Sequence, residues 1–169
     1  MLYTLVSFLG LILGYVLASK VKEELDKGKI YFDAIVKIIL VVLITILAFR
    51  LTFFGFEIII AIIFGIILNY FIKRVYLFLG LSLILIDDKL IASLLIFIFS
   101  LAYGTLEYIK YKKVNYKSIL LNFVLFLIPL VFLFKKTMIF DNVLIAFTMG
   151  GLIIYVFRFD KRTKKKKRA

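Results

Sequence analysis

The chain has 169 residues, 64% of them hydrophobic, and carries a net charge of +13 with neither cysteine nor histidine. A soluble domain is about 45–50% apolar, and the excess here cannot be hidden in a water-soluble core of this size, so lipid is the expected solvent. The missing Cys and His exclude disulfides, Cys- or His-based metal sites, haem held by His, and Ser-His-Asp or Cys-His catalysis, so no cofactor and no metal are expected.

A bilayer core about 30 Å thick needs about 20 helical residues. The first apolar run, Met1 to Ser19, has no basic residue before it and Lys20, Lys22, Lys27 and Lys29 after it. A signal peptide has the opposite polarity, so the run reads as a retained anchor with its N-terminus outside. It contains Gly10, Gly14 and Ala18 at intervals of four, a face of small residues on which a second helix packs closely. A polar segment follows, with Glu23, Glu24 and Asp26 among the lysines and Gly28 as a break. The second run is Tyr31 to Phe49, with Asp33 and Lys37 four apart near its start. That pair reads as an interfacial ion pair with Lys37 snorkelling rather than as a proton relay, because charge costs least near a helix end.

After a turn at Arg50 to Phe56, the third run, Glu57 to Ile72, carries Ala61 and Gly65 for packing and Asn69 near its end. Lys73-Arg74 separates it from Val75 to Ile86, a run of about 18 Å as helix. Asp87, Asp88 and Lys89 then interrupt, and Leu90 to Leu106 follows. Residues 75–106 are therefore either two spans or one re-entrant hairpin. A basic belt interleaved with tyrosines, Tyr108 to Lys117, suits an interface. The sixth run, Ser118 to Phe134, holds Asn122 and the only proline, Pro129, where a kink is expected. The seventh, Asn142 to Phe157, has Ala146 and Gly150. Asn69 and Asn122 are the candidate binding residues for a polar solute.

The expected fold is all-α, a polytopic bundle of about seven transmembrane spans over residues 1–157, with no soluble domain and a basic cytoplasmic tail at 158–169. With the N-terminus outside and the C-terminus cytoplasmic, all Lys and Arg except Arg50, Lys89, Lys135-Lys136 and the in-run Lys37 fall inside, as the charge rule requires. The tail run Lys161 to Arg168 suits anionic lipid headgroups better than nucleic acid, since no folded nucleic-acid motif accompanies it.

The run Asp88-Lys89-Leu90-Ile91-Ala92 resembles the GxGD-x-K-L-x-A segment of prepilin peptidases, which are intramembrane aspartyl proteases. The resemblance implies a catalytic aspartate at Asp88, with Asp87 beside it. Leu85 and Asp87 stand where that family has glycines, no partner motif places a second aspartate, and Asp88 falls outside in the favoured topology. A second resemblance covers Glu23 to Phe32, Tyr76 to Leu81 and Tyr103 to Leu106, which look like a pattern in small uncharacterised archaeal multi-pass membrane proteins. It implies an archaeal cell membrane and carries no activity. Two function classes follow. One is non-enzymatic, a small-solute carrier or a subunit of a membrane complex with a membrane-protein partner or a second copy. The other is the aspartyl protease. A polar cavity favours the carrier, and an exposed face of small residues favours the subunit.

Overall fold

The computed structural model describes residues 2–21, 25–52, 55–132 and 141–166. Seven helices and no strand occur among them: α1 (Leu2–Lys20), α2 (Leu25–Phe49), α3 (Phe56–Ile72), α4 (Tyr76–Leu85), α5 (Lys89–Tyr111), α6 (Tyr116–Phe132) and α7 (Asp141–Lys166). Glu23-Glu24, Lys135-Lys136 and the end of the sixth apolar run lie outside the described residues. The fold is all-α. Three helical stretches are long and apolar enough to cross a membrane on their own, Leu2–Lys20, Gly28–Phe49 and Lys89–Tyr111. Length and composition thus assign three spans where about seven were expected; α3, α4, α6 and the apolar part of α7 are shorter.

Several helices extend beyond their apolar runs. α2 begins at Leu25 and continues through Gly28, α5 extends past Leu106 to Tyr111, and α7 extends past Phe157 to Lys166. Lys, Arg and Glu are good helix formers, so a helix leaving an apolar run does not stop where charge begins. α5 ends where Lys112 turns left-handed (φ 53°), its N–H bonding the Tyr108 carbonyl at 2.7 Å; Lys73 (φ 58°) ends α3 in the same way. A cation at these positions also faces the negative end of the helix dipole. Helix α6 runs through Pro129.

The outer surface of the bundle is apolar like its interior. Ile59, Ile60, Ile63, Phe64 and Ile67 of α3 are exposed, so burial of hydrocarbon cannot by itself hold the helices together; close backbone contact must. Three pairs supply it, and each is parallel. Along α1 and α5, Gly10 meets the Phe97 carbonyl, Gly14 the Leu101 carbonyl, and Gly104 the Leu11 carbonyl. Hydroxyls add to this pair: Thr105 donates to the Leu101 carbonyl at 3.0 Å and lies 3.3 Å from the Gly14 carbonyl, while Ser93 donates to the Tyr3 carbonyl at 3.1 Å. Along α3 and α7, Gly65 meets the Phe147 carbonyl and Gly150 the Ile62 carbonyl, with Ala61 and Ala146 buried between them. Along α4 and α6, Gly80 meets the Phe126 carbonyl and the Pro129 ring. The structure therefore places Gly10, Gly14, Ala61, Gly65, Ala146 and Gly150 in contacts within the chain.

Helix α4 is the centre. Val75, Tyr76, Phe78 to Leu83, Leu85 and Ile86 are all buried, against α2, α5, α6 and α7. A helix apolar all round and enclosed by protein has no lipid to match in length. Its successor α5, long enough to cross a membrane on its own, runs beside α1 for most of its length.

The parallel pairs give the bundle two ends. One end carries the start of α1, Arg50, Asp87-Asp88 and the start of α7. The other carries Lys20, Lys73-Arg74, Tyr111 and Tyr116.

Candidate functional site

The Asp87-Asp88-Lys89 connector, the most suggestive motif in the sequence, is occupied in joining α4 to α5. The Asp88 carboxylate is the N-cap of α5, accepting from the Leu90 and Ile91 amides, both at 3.1 Å. Lys89 donates to the Ile84 and Ile86 carbonyls, both at 2.6 Å, closing the C-terminus of α4. Asp87 is largely exposed and pairs with Arg50. Of the other acids considered, Asp33 is held by Lys37 at 3.1 Å and Asp141 opens α7. Among the described residues no second carboxylate is paired with Asp88. The Asp88→Ala variant should lose about 1 kcal/mol, the usual cost of a lost N-cap. An unfolding midpoint in detergent measures it, and a wild-type midpoint would show that the cap contributes nothing.

At the opposite end, five helices and one connection bring together polar groups that no spacing in the sequence links. Ser100, Tyr103 and Glu107 recur at three and four residues on α5 and so share a face; Ser118 and Asn122 do the same on α6. Tyr15 comes from α1, Tyr155 from α7, and Tyr76 from the first turn of α4, just after Arg74 in the α3–α4 connection. Glu107 is the only charged residue buried among the described residues. One carboxylate oxygen accepts from the Tyr15 hydroxyl at 2.5 Å and the other from the Ser118 hydroxyl at 2.6 Å. Arg74 donates to Ser118 Oγ at 2.6 Å and Asn122 Oδ1 at 2.9 Å, and its guanidinium lies 3.8 Å from Glu107. Ser118 is therefore a bridge, accepting from the cation and donating to the anion.

A carboxylate taken from water costs several kcal/mol unless it is paired and hydrogen-bonded. Glu107 has both forms of compensation. The Arg74 side chain is 26% exposed and that of Glu107 10%, so the cation is the more exposed of the two. Deeper in, the tyrosine rings pack on one another: Tyr76 and Tyr103 at 5.7 Å, Tyr103 and Tyr155 at 6.3 Å. Not every polar atom is satisfied. Asn122 Nδ2, Tyr76 OH and Ser100 Oγ are buried without a hydrogen-bond partner. The Tyr76 and Ser100 hydroxyls lie near each other. Unpartnered buried donors of this kind mark a place for water or a polar ligand.

Of the two asparagines singled out in the sequence, Asn122 belongs to this cluster. Asn69 does not: its amide donates to the Gly151 carbonyl and joins α3 to α7, leaving Oδ1 without a partner. Arg74, Glu107, Tyr15 and Ser118 were not legible as a site. The one signal was Glu107 itself, an acid beyond Leu106 that continues the α5 face of Ser100 and Tyr103. No group of three or more Asp or Glu able to hold a metal ion occurs among the described residues. No protein-family model matches this chain, and no curated protein or solved structure matches it either.

Proposed function

We propose that the chain is an integral membrane protein of about seven spans that binds a small polar solute at the Arg74–Glu107 cluster, acting as a non-enzymatic carrier. The observation that carries this reading is the combination of a carboxylate buried beside a half-buried guanidinium with the unpartnered buried amide of Asn122. Ionisable groups kept within a lipid-embedded bundle mark solute and ion paths more often than structure. A subunit role gains less support, because the small-residue faces of α1, α3 and α7 are used inside the chain. A second copy or a membrane-protein partner has no comparable free face to engage among the described residues. The aspartyl protease reading draws no support from Asp88, whose carboxylate is engaged as a cap.

Seven spans are supported by direction. The parallel pairs α1 with α5, α3 with α7 and α4 with α6 each join helices an even number of connections apart, as a chain that reverses at every connection requires. The shorter helices then cross inside or beside longer ones, where the bilayer adapts or protein replaces it. The N-terminus outside and the C-terminus in the cytoplasm follow from the basic residues gathered at the Arg74 end. A basic tail against anionic headgroups fits this orientation, though its side chains lie outside the described residues. The cell membrane and an archaeal source rest on the sequence resemblance alone.

The native chain has no cysteine, so single substitutions report cleanly. Asp87→Cys should react with a membrane-impermeant maleimide in intact cells, and Lys112→Cys only in inverted vesicles. Ser118→Cys should react in inverted vesicles with a small charged thiosulfonate. Labelling of positions 87 and 112 from the same side would remove the seven-span reading. A silent position 118 beside a reactive position 112 would mean the cluster is sealed from solutes.

A further inference from the structure

Helices α1 and α6 scarcely touch, and the space between them is a trough of about 760 Å³. Its walls and floor are hydrocarbon, with Leu5, Leu9 and Ile12 from α1 and Leu120 and Phe123 from α6; the polar group at one end is Lys117. Phe8 and Phe123 close its floor, their rings 4.8 Å apart. Its lining runs from Leu5 to Ile12 on α1 and from Tyr116 to Phe123 on α6, about 10 Å along each helix. Half the hydrocarbon core of a bilayer is about 15 Å, so the trough accommodates a large part of one lipid chain.

We propose that this trough holds one hydrocarbon chain of an anionic phospholipid, with the phosphate beside Lys117. Charge selects the anionic lipid. Lys117 stands at the headgroup end, and Lys112 and Lys113 lie in the exposed connection just before α6. A headgroup beside Lys117 thus meets a cluster of cations at one end of the trough, and no cation lines the opposite end. Lipids flowing past a smooth helix face are exchanged freely. A concave site with a fixed cation at one end retains a particular one, because its chain and its phosphate are held together.

The inference shares the membrane reading proposed above but not the solute site. It also survives inversion of the topology, since retention in detergent does not depend on which side is the cytoplasm. The experiment is native mass spectrometry of the full chain in detergent, titrated with phosphatidylglycerol or with phosphatidylcholine of the same chains. The wild type should retain one phosphatidylglycerol in preference to phosphatidylcholine. Lys117→Gln should reduce that preference about fivefold, the effect of one lysine at a lipid surface. Leu120→Trp should abolish retention of both lipids by filling the trough. Leu121→Trp, on the neighbouring exposed position outside it, should behave as wild type, which separates loss of the site from loss of the fold. Equal retention of the two lipids by the wild type would overturn the proposal. So would equal behaviour of the two tryptophan variants, or a preference unchanged in Lys117→Gln.

Discussion

Glu107→Met should be among the most damaging single substitutions in the chain, and restoring neutrality at Arg74 should repair much of the damage. With the carboxylate gone, Arg74 keeps its charge in a site where the Ser118 and Asn122 oxygens are its remaining partners. The Tyr15 hydroxyl loses its acceptor as well. Breaking a buried pair in this one-sided way costs about 3–5 kcal/mol. The partial exposure of Arg74 lets water and headgroups take up some of the charge, which lowers the figure to about 2–4 kcal/mol. Arg74→Met should cost a similar amount, because it leaves the better-buried partner alone. The double variant, carrying two apolar side chains of similar volume, should be less destabilised than either single one. The test is a double-mutant cycle on unfolding in mixed detergent. A cycle in which the two losses simply add would mean that the 3.8 Å approach contributes nothing to stability and that Ser118 alone matters. Retained stability in the double variant, together with lost solute binding, would separate what the pair does for function from what it does for the fold.

The residues that form this pair show where reading the sequence stopped. The seven apolar runs each became a helix, because a run of Leu, Ile, Val and Phe of that length admits little else in lipid. Their ends were less visible. Leu106 looked like the end of its run, yet α5 continues through Glu107 and Tyr108, which face inward, until Lys112 turns left-handed without a glycine to announce it. The polar stretch at 25–30 looked like a loop and is the first turn and a half of α2, since Lys supports a helix about as well as Leu does. Gly28 did not break it. The shortness of α4 was plain, but its cause was not: whether a short run is a dip in the membrane or a buried core depends on what surrounds it. Arg74 read as a loop charge for the same reason. Its partners Glu107, Ser118 and Asn122 are distant in sequence and follow no shared period, so only the packing of α4 against α5 and α6 brings them together. Asn69 and Asn122 looked alike as lone amides in apolar runs. One caps a contact between two backbones and the other faces a cation, a difference set by neighbours and not by either residue.

Packing by small residues leads to the second large effect. Spacing of Gly10 and Gly14 identifies a face on α1 but not the surface that meets it, and a free face would be equally consistent with a second protein. Because that face is spent on α5, its disruption should unfold the chain rather than free it from a partner. A methyl group added at Gly14 would collide with the Leu101 carbonyl, and there is no flexible side chain to yield. The two helices would have to separate, losing the approach of the Thr105 hydroxyl to the Gly14 carbonyl and the contact of Gly104 with Leu11. Gly14→Val should therefore cost about 3 kcal/mol, at the upper end for overpacking. Gly14→Ala should cost part of it, with helix propensity offsetting about 1 kcal/mol. Gly28 supplies the comparison. A methyl there would meet only the edge of the Phe32 ring, at 3.3 Å, so Gly28→Ala should stabilise α2 by up to about 1 kcal/mol. Unfolding midpoints that move in opposite directions for the two alanine variants would locate the tight seam between α1 and α5. Equal shifts would mean that both glycines act only through backbone flexibility. A Gly14→Val variant that stays folded but elutes at a smaller size would point to a partner surface after all, with α5 as its bystander.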